Sequence, residues 1–96
     1  MEQKIKAMDL KNLIESQGYR CALTGVELEP STASADHIQP VSGGGRNEID
    51  HIQIVHHKVN AAKGTMANDE FIQMCKNVVE WVTGGRQAEQ ARHCLS

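Results

Sequence analysis

The order of strand candidates and glycine-rich breaks in the middle of the chain most constrains its fold. Residues 35–40 are a short strand candidate that ends at proline, a loop with three consecutive glycines follows at 42–47, and residues 49–55 contain alternating apolar side chains. Two strand candidates joined by a glycine-containing loop predict a β-hairpin. Residues 56–63 have a helical composition, and Gly64 is placed to end a helix there. The segment therefore predicts a strand, a loop, a second strand and a short helix.

A longer helix is predicted before this hairpin, over residues 3–17. The two leucines of that segment share one face with Ile14, and Gly18 is suited to end the helix. The next residues, 19–25, are rich in turn formers and could form one arm of a further hairpin. The N-terminal third of the chain is thus expected to pack one helix face against the central segment.

A second long helix is predicted near the C-terminus, beginning at Asn68, a suitable N-cap, and closed by the glycine pair at 84–85. Its apolar stripe is expected to be buried in the core and consists of Phe71, Cys75, Val78 and Val82. Trp81 is expected to be a core residue as well, and the polar tail at 86–96 is expected to be loose. The predicted fold class is α+β, in a single domain over residues 1–96.

Composition limits the classes of partner and compartment. The chain has 96 residues and a formal net charge of -2. This charge disfavours tight autonomous binding to nucleic acid, because a basic face usually supplies most of that affinity. The three cysteines include no CxxC pair, and no apolar run resembles a signal peptide or reaches transmembrane length. A soluble, reduced, cytoplasmic protein without membrane association is expected.

Four side chains of the central segment form a candidate chemical site, since a ββα hairpin brings the end of its first strand against its helix. Asp36 offers a carboxylate oxygen and Asn60 an amide oxygen, and Mg²⁺ prefers such ligands with other positions left to water and phosphate. His37 leaves the strand on the opposite side from Asp36 and suits a general base acting on water. Lys63 is expected within reach of a phosphate. This set suits phosphodiester hydrolysis.

The stretches CALTG and ADHIQPVSGGGRNEIDHIQIVHHKVNAAKG resemble an HNH endonuclease of the His-Me finger group, of the small free-standing type of phages and prophages. The resemblance implies a ββα-metal hairpin-helix core at 35–64, flanked by N- and C-terminal helices. It implies that His37 is the general base and that Asp36 and Asn60 bind one divalent metal ion. Mg²⁺ is the expected ion, and Mn²⁺ or another transition metal can substitute for it.

The chain departs from the family pattern in two places. The middle Asn of the HNH name falls at His51, and the resemblance implies that this residue helps to orient the catalytic histidine. Many relatives carry two CxxC pairs, whereas the corresponding positions here are Cys21, Thr24, His56 and Val59. Two of these four cannot bind zinc, and structural zinc sites normally have four ligands. No structural zinc is expected.

The expected substrate is DNA, duplex or branched, nicked or cut through both strands with low sequence specificity. Arg46 beside the glycine loop and His57 and Lys58 on the short helix are candidate phosphate contacts. A homodimer, or a phage packaging or recombination partner, is also open. Two alternatives stay open: a catalytically weak or inactive HNH-fold module that binds nucleic acid or protein, and a nuclease that acts on RNA.

Overall fold

The computed structural model describes residues 5–40 and 48–85. Within them the chain forms a small α+β domain with three helices and a two-stranded antiparallel sheet. The elements, in chain order, are α1 (Ala7–Ser16), β1 (Ala33–His37), β2 (Ile52–His56), α2 (His57–Lys63) and α3 (Asn68–Glu80). The predicted glycine loop with Arg46 and the predicted loose tail lie outside the described residues. None of the described helices has the length and apolar composition needed to cross a membrane.

The two strands form the predicted hairpin with slightly shifted bounds. Their register places Asp36 opposite Gln53 and His37 opposite Ile52. The first residues of the predicted second strand form a 3₁₀ turn instead, Ile49–His51. This turn continues the pairing beyond the strands, because the backbone N–H of Ile38 donates to the carbonyl oxygen of His51 at 3.0 Å. Backbone pairing therefore covers Asp36 and His37 at the end of β1 and continues to Ile38.

The core forms around β2, which is buried on both faces. Ile54 and Val55 point to opposite sides of the strand, and both are buried. The core cluster joins them to Cys21 and Leu28, and α1 contributes partly buried leucines and Ile14 to it. The side chain of Gln17 exchanges two 2.9 Å hydrogen bonds with the backbone of Ile54. These bonds satisfy the edge of β2 that does not face β1.

The segment after α1 forms a small hairpin, as its turn-rich composition predicts. Arg20 and Glu27 make an antiparallel bridge. Cys21 is buried, and its sulfur accepts hydrogen bonds from the backbone N–H groups of Thr24 and His56, each at 3.4 Å. Burial raises the pKa of the Cys21 thiol, but the hydrogen bonds from Thr24 and from nearby backbone N–H groups outweigh it and lower that pKa below its ordinary value. Cys21 is thus a core residue whose sulfur accepts hydrogen bonds from backbone N–H groups.

Gly18 ends α1 in the manner that the sequence predicts. Its φ is +67°, and two backbone bonds close the helix end: Gly18 N–H to the Glu15 carbonyl at 2.9 Å and Tyr19 N–H to the Ile14 carbonyl at 3.0 Å.

Gly18→Ala is expected to lower the free energy of unfolding by about 1 kcal/mol, because a Cβ disfavours this left-handed backbone. Urea denaturation of the wild type and the variant measures this change in the free energy of unfolding. Gly84→Ala is the control, and an equal loss in both variants would contradict the prediction.

The start of α3 differs from the prediction at Asn68. The cap position is Ala67, and Asn68 is the first helical residue, so its predicted role as N-cap is wrong. Its side chain instead exchanges two hydrogen bonds with the side-chain amide of Gln53, at 2.8 and 3.0 Å. The amide is used to join α3 to β2 rather than to cap its own helix.

The predicted burial of the α3 stripe holds only at Phe71, which is buried. Cys75 is exposed, and the exposed fractions of Val78 and Val82 are 55% and 49%. Trp81, also predicted to be core, is 50% exposed. These predictions are wrong because, among the described residues of this face, only Phe71 in the first turn is buried. The apolar periodicity is real, but no described residue covers the later part of that face.

Candidate active site

A cleft at the end of β1 brings together three of the residues that the sequence singles out. Asp36 and His37 come from β1, and Asn60 comes from α2. The cleft has a volume of about 330 Å³, and its remaining lining comes from Ala35, Pro40, Gly64, Thr65 and Met66. The turn from β2 directly into α2 produces this convergence, since it folds α2 back against the strand pair. The structure therefore brings to one cavity three residues whose side chains carry a carboxylate, an imidazole and an amide.

Asp36 is held by partners from two elements, α2 and β2. Its side chain is only 6% exposed, and its Oδ2 atom lies 3.0 Å from Nζ of Lys63. The same oxygen accepts a 2.8 Å hydrogen bond from Nε2 of Gln53, the residue opposite it on β2. Gln53 is in turn bonded to Asn68 at the start of α3. Lys63 and Gln53 both hold Oδ2, and this fixes the rotation of the Asp36 carboxylate.

Lys63 lies inside the domain and not on its surface. Its side chain is 1% exposed, and Nζ also donates to the carbonyl oxygen of His37 at 2.7 Å. The prediction that Lys63 contacts a phosphate is wrong in this structure, because the ammonium group is enclosed and bonded to Asp36 and His37. Lys63 instead fixes the Asp36 carboxylate and the backbone that carries the imidazole.

Asn60 is oriented by the strand that it faces. Its Nδ2 atom donates to Oγ of Ser34 at 2.6 Å and lies 3.5 Å from the carbonyl oxygen of Ala35. The nitrogen side of the amide therefore faces β1. In a planar amide the carbonyl oxygen then points in a different direction, which makes it the atom that can act as a ligand. Asn60 is half-buried and borders the cleft.

His37 reaches the same cleft from the other side of the strand. Side chains alternate along β1, so His37 leaves it on the opposite face from Asp36. Within the described residues, β1 pairs with another strand on one edge only. Side chains from both of its faces can therefore reach a cavity at its other edge, and both residues line the cleft. The imidazole is half-buried, so solvent reaches the region around it.

Three further predicted site residues that the structure describes, His51, His57 and Lys58, do not line this cavity. His51 is in the 3₁₀ turn, and the hydrogen bonds described for it are made by its backbone. His57 and Lys58 are exposed on the first turn of α2, where both stay candidates for contacts with phosphate. His56 caps that helix, because its Nδ1 atom accepts a 3.1 Å hydrogen bond from the backbone N–H of Lys58. Its ring stacks on that of His57, with 4.6 Å between the ring centroids.

Three residues that hold the site were not found from the sequence. Ser34 orients Asn60, and Gln53 with Asn68 joins Asp36 to α3. One signal for Gln53 was available, since it interrupts the apolar residues of β2 directly opposite Asp36 once the register is known. Ser34 and Asn68 carry no comparable signal, because small polar residues are common at strand and helix starts.

The donor chemistry of the cleft fits a hard divalent cation. A carboxylate and an amide oxygen are ligands that Mg²⁺ accepts while it keeps water in its other positions. Within the described ranges, no group of three or more His, Cys, Asp or Glu side chains is arranged around a common metal position. A cation in this cleft would therefore be held by Asp36 and Asn60 together with water and substrate oxygens.

Two comparisons with known proteins leave the site to be interpreted from its geometry. No protein-family model matches the chain. A search of curated proteins gives no match either. The functional argument therefore rests on the residues of the cleft and on the contacts that orient them.

Proposed function

We propose that this protein is a metal-dependent endonuclease that hydrolyses DNA phosphodiester bonds. The observation that carries the proposal is the cleft shared by Asp36, His37 and Asn60. The order of strand, strand and helix around that cleft supports the more specific assignment of a ββα-metal core of the HNH type. The resemblance of residues 35–64 to HNH endonucleases supports the same assignment.

The proposed metal ligands are the carboxylate of Asp36 and the amide oxygen of Asn60. Lys63 and Gln53 both bind Oδ2 of Asp36, so the proposal assigns Oδ1 to the cation. The bond from Asn60 Nδ2 to Ser34 turns the amide oxygen away from β1. When bound, Mg²⁺ would stabilise charge on the scissile phosphate and on the leaving oxygen. The protein supplies two ligands whose orientation is set before the cation arrives.

The proposed general base is His37. An imidazole changes protonation state near neutral pH without strong tuning, so it can accept a proton from an attacking water. Its backbone carbonyl is bound by the buried Lys63, which limits movement of the strand end. His37 and Asp36 border the cleft from opposite faces of β1. This arrangement lets one residue activate water while its neighbour binds the cation.

The substrate contact is proposed to be weak and independent of base sequence. The net charge of -2 supplies no strongly basic face, and the exposed His57 and Lys58 on α2 are candidate contacts to the backbone. Phosphate contacts position a nucleic acid but do not read its bases. Binding is therefore expected to weaken as salt rises, with a shallow slope because few phosphates are neutralised.

Relaxation of supercoiled plasmid tests the proposal. The purified protein is expected to convert supercoiled DNA to nicked or linear forms with Mg²⁺ or Mn²⁺, and to stop when a chelator removes the ion. Adding the metal back should restore the reaction. Absence of cleavage over a range of metals and substrates, or cleavage that persists in the chelator, would contradict the proposal.

Ser34→Ala tests the orientation of Asn60. Loss of the 2.6 Å bond frees the amide to rotate, and loss of such an orienting partner typically costs 10- to 100-fold in metal affinity or activity. The Mg²⁺ concentration for half-maximal cleavage is expected to rise by about 10-fold. Saturating Mg²⁺ should recover most of the rate. Ser31→Ala, at an exposed serine, is the control, and an unchanged Mg²⁺ requirement in Ser34→Ala would argue against the assigned role of Asn60.

A further inference from the structure

The side-chain amides of Gln53 and Asn68 form a closed pair between β2 and α3. Nε2 of Gln53 donates to Oδ1 of Asn68 at 2.8 Å, and Nδ2 of Asn68 donates back to Oε1 of Gln53 at 3.0 Å. An amide nitrogen has two N–H groups, so one donor of Gln53 remains after this exchange. That donor is used by Asp36, whose Oδ2 atom accepts it at 2.8 Å. Two consecutive hydrogen-bonded links therefore connect the proposed metal ligand to α3.

The charge of Asp36 sets the direction of these bonds. An ionised carboxylate can only accept hydrogen bonds, so the nitrogen of the Gln53 amide has to face it. If that amide were turned over, its oxygen would lie against the carboxylate oxygen, and two negative partial charges would meet between buried side chains. With the nitrogen beside Asp36, the other N–H and the oxygen of Gln53 match the oxygen and nitrogen of Asn68. Asn68 therefore holds the Gln53 amide in the orientation that Asp36 requires.

Lys63 also binds Oδ2 of Asp36, at 3.0 Å, but it constrains the carboxylate differently. A lysine ammonium is a compact point charge with three rotatable donors. Its attraction changes little when the carboxylate turns about its Cβ–Cγ bond, because either oxygen can take the same place. The amide of Gln53 is planar, and its N–H points in one direction only. Gln53 therefore adds the directional contact that keeps Oδ2 toward the protein and Oδ1 toward the cleft.

Asn68 is held by the end of β1 as well as by Gln53. It is the first residue of α3, and its backbone N–H donates to the carbonyl oxygen of Ile38 at 3.0 Å. Ile38 directly follows His37 in the chain. Three residues after Asn68, the buried Phe71 fastens the first turn of α3 to the domain. The start of α3 is thus tied by backbone and side chain to both strands that carry the site.

The chemistry of the amide pair suits positioning better than anchoring alone. Gln53 is 7% exposed and stands between the buried Ile52 and Ile54 on β2. A buried amide costs free energy unless its polar atoms are hydrogen-bonded. An apolar pair at positions 53 and 68 would fasten α3 to β2 without that requirement. The polar pair adds what an apolar pair cannot supply, which is a directed hydrogen bond to the Asp36 carboxylate.

We propose that Asn68 is a positioning residue for the metal ligand Asp36, and that through Gln53 it makes the affinity of the cleft for its cation depend on the attachment of α3. This role rests on the metal assignment in the proposed function and does not require that the substrate is DNA. Without the Asn68 amide, Gln53 is free to turn and the carboxylate loses its directional contact. Oδ1 then faces the cation for a smaller fraction of the time. Metal affinity falls, whereas the cleavage rate at saturating metal is retained.

Binding of Mn²⁺ to the full chain tests this role without cleavage, with electron paramagnetic resonance reporting the free ion. Asn68→Ala is expected to raise the Kd for Mn²⁺ by about 10-fold, since loss of a partner that orients a metal ligand has effects of this order. Gln53→Met keeps most of the side-chain volume and should raise the Kd by a similar factor. Because Asn68 acts through Gln53, adding Asn68→Ala to Gln53→Met should change the Kd by less than about twofold.

Asn77→Ala is the matched control, because Asn77 is an exposed asparagine of α3 whose Oδ1 atom accepts a hydrogen bond from Gln73. It should leave the Kd for Mn²⁺ unchanged. Asn60→Ala should abolish Mn²⁺ binding, which shows that the ion is in the cleft. Urea denaturation of the same variants identifies a purely structural role, in which Asn68→Ala would lower the free energy of unfolding and leave the Kd unchanged.

Three results would overturn the proposed role of Asn68. They are an unchanged Kd in Asn68→Ala, effects of Asn68→Ala and Gln53→Met that multiply in the double variant, and a wild type without Mn²⁺ binding that depends on Asn60. A wild type that gives the expected Mn²⁺ results but cuts no plasmid would support the role of Asn68 and contradict the nuclease assignment alone.

Discussion

Replacing Lys63 with methionine is expected to lower the free energy of unfolding by about 3–5 kcal/mol. The ammonium group is 1% exposed and bonds to Oδ2 of Asp36 at 3.0 Å and to the His37 carbonyl at 2.7 Å. Methionine preserves most of the side-chain volume, but it leaves the Asp36 carboxylate buried without its counter-charge. Gln53 would be the one remaining described partner of that carboxylate. Few other single changes in a domain of this size should cost as much.

Urea denaturation of the wild type, Lys63→Met and Lys58→Met measures this effect. Lys58 is on the same helix and is exposed, so the same substitution there should change the free energy of unfolding by less than about 0.5 kcal/mol. Equal effects in the two variants would contradict the burial of Lys63. Adding Asp36→Asn to Lys63→Met removes the unpaired charge, so the double variant should be more stable than Lys63→Met alone.

Replacing His37 with alanine is expected to reduce the rate of plasmid cleavage by about 10²- to 10⁴-fold. The imidazole borders the cleft beside Asp36 and Asn60, and in the proposed mechanism it accepts the proton of the attacking water. Its side chain is half-buried at a strand end, and the residue binds Lys63 through its backbone carbonyl. Alanine keeps that carbonyl, so the variant should fold and bind the metal while losing cleavage.

Single-turnover cleavage rates at saturating Mg²⁺ distinguish this role from a structural one. His57→Ala is the matched control, because it removes an exposed imidazole from α2. That variant should change the apparent DNA affinity and its salt dependence, and leave the rate at saturating DNA within about threefold. Added imidazole should partly restore cleavage by His37→Ala. A His37→Ala variant that cleaves as fast as His57→Ala would remove His37 from the mechanism.

The hairpin and its helix could be predicted from the sequence because their signals are local. Gly18 and Gly64 end α1 and α2 with positive φ, as their positions indicate. The proximity of Asp36 and Asn60 also follows from the ββα order, since this topology brings a strand end against the helix. The strand bounds differ from the prediction: β1 begins at Ala33 and not at residue 35, because its pairing with His56 depends on contacts between distant residues.

The environment of Lys63 and the exposure of α3 could not be predicted in the same way. Spacing along a helix shows which side chains share a face, but it does not show what covers that face. Lys63 shares a helix with the exposed Lys58, and the fold alone determines that one is buried beside Asp36. The stripe from Phe71 onwards has ordinary core periodicity, yet burial ends after Phe71 because α1 and α2 already cover β2.

In the proposed function, the cleft of Asp36, His37 and Asn60 cleaves DNA with a divalent metal ion. The most direct measurement compares nicking of supercoiled plasmid by the wild type and by His37→Ala, at equal concentrations of folded protein, with and without Mg²⁺. We expect Mg²⁺-dependent nicking by the wild type and a loss of at least 100-fold in the variant. Equal nicking by both proteins, or none by the wild type with any divalent metal, would contradict it.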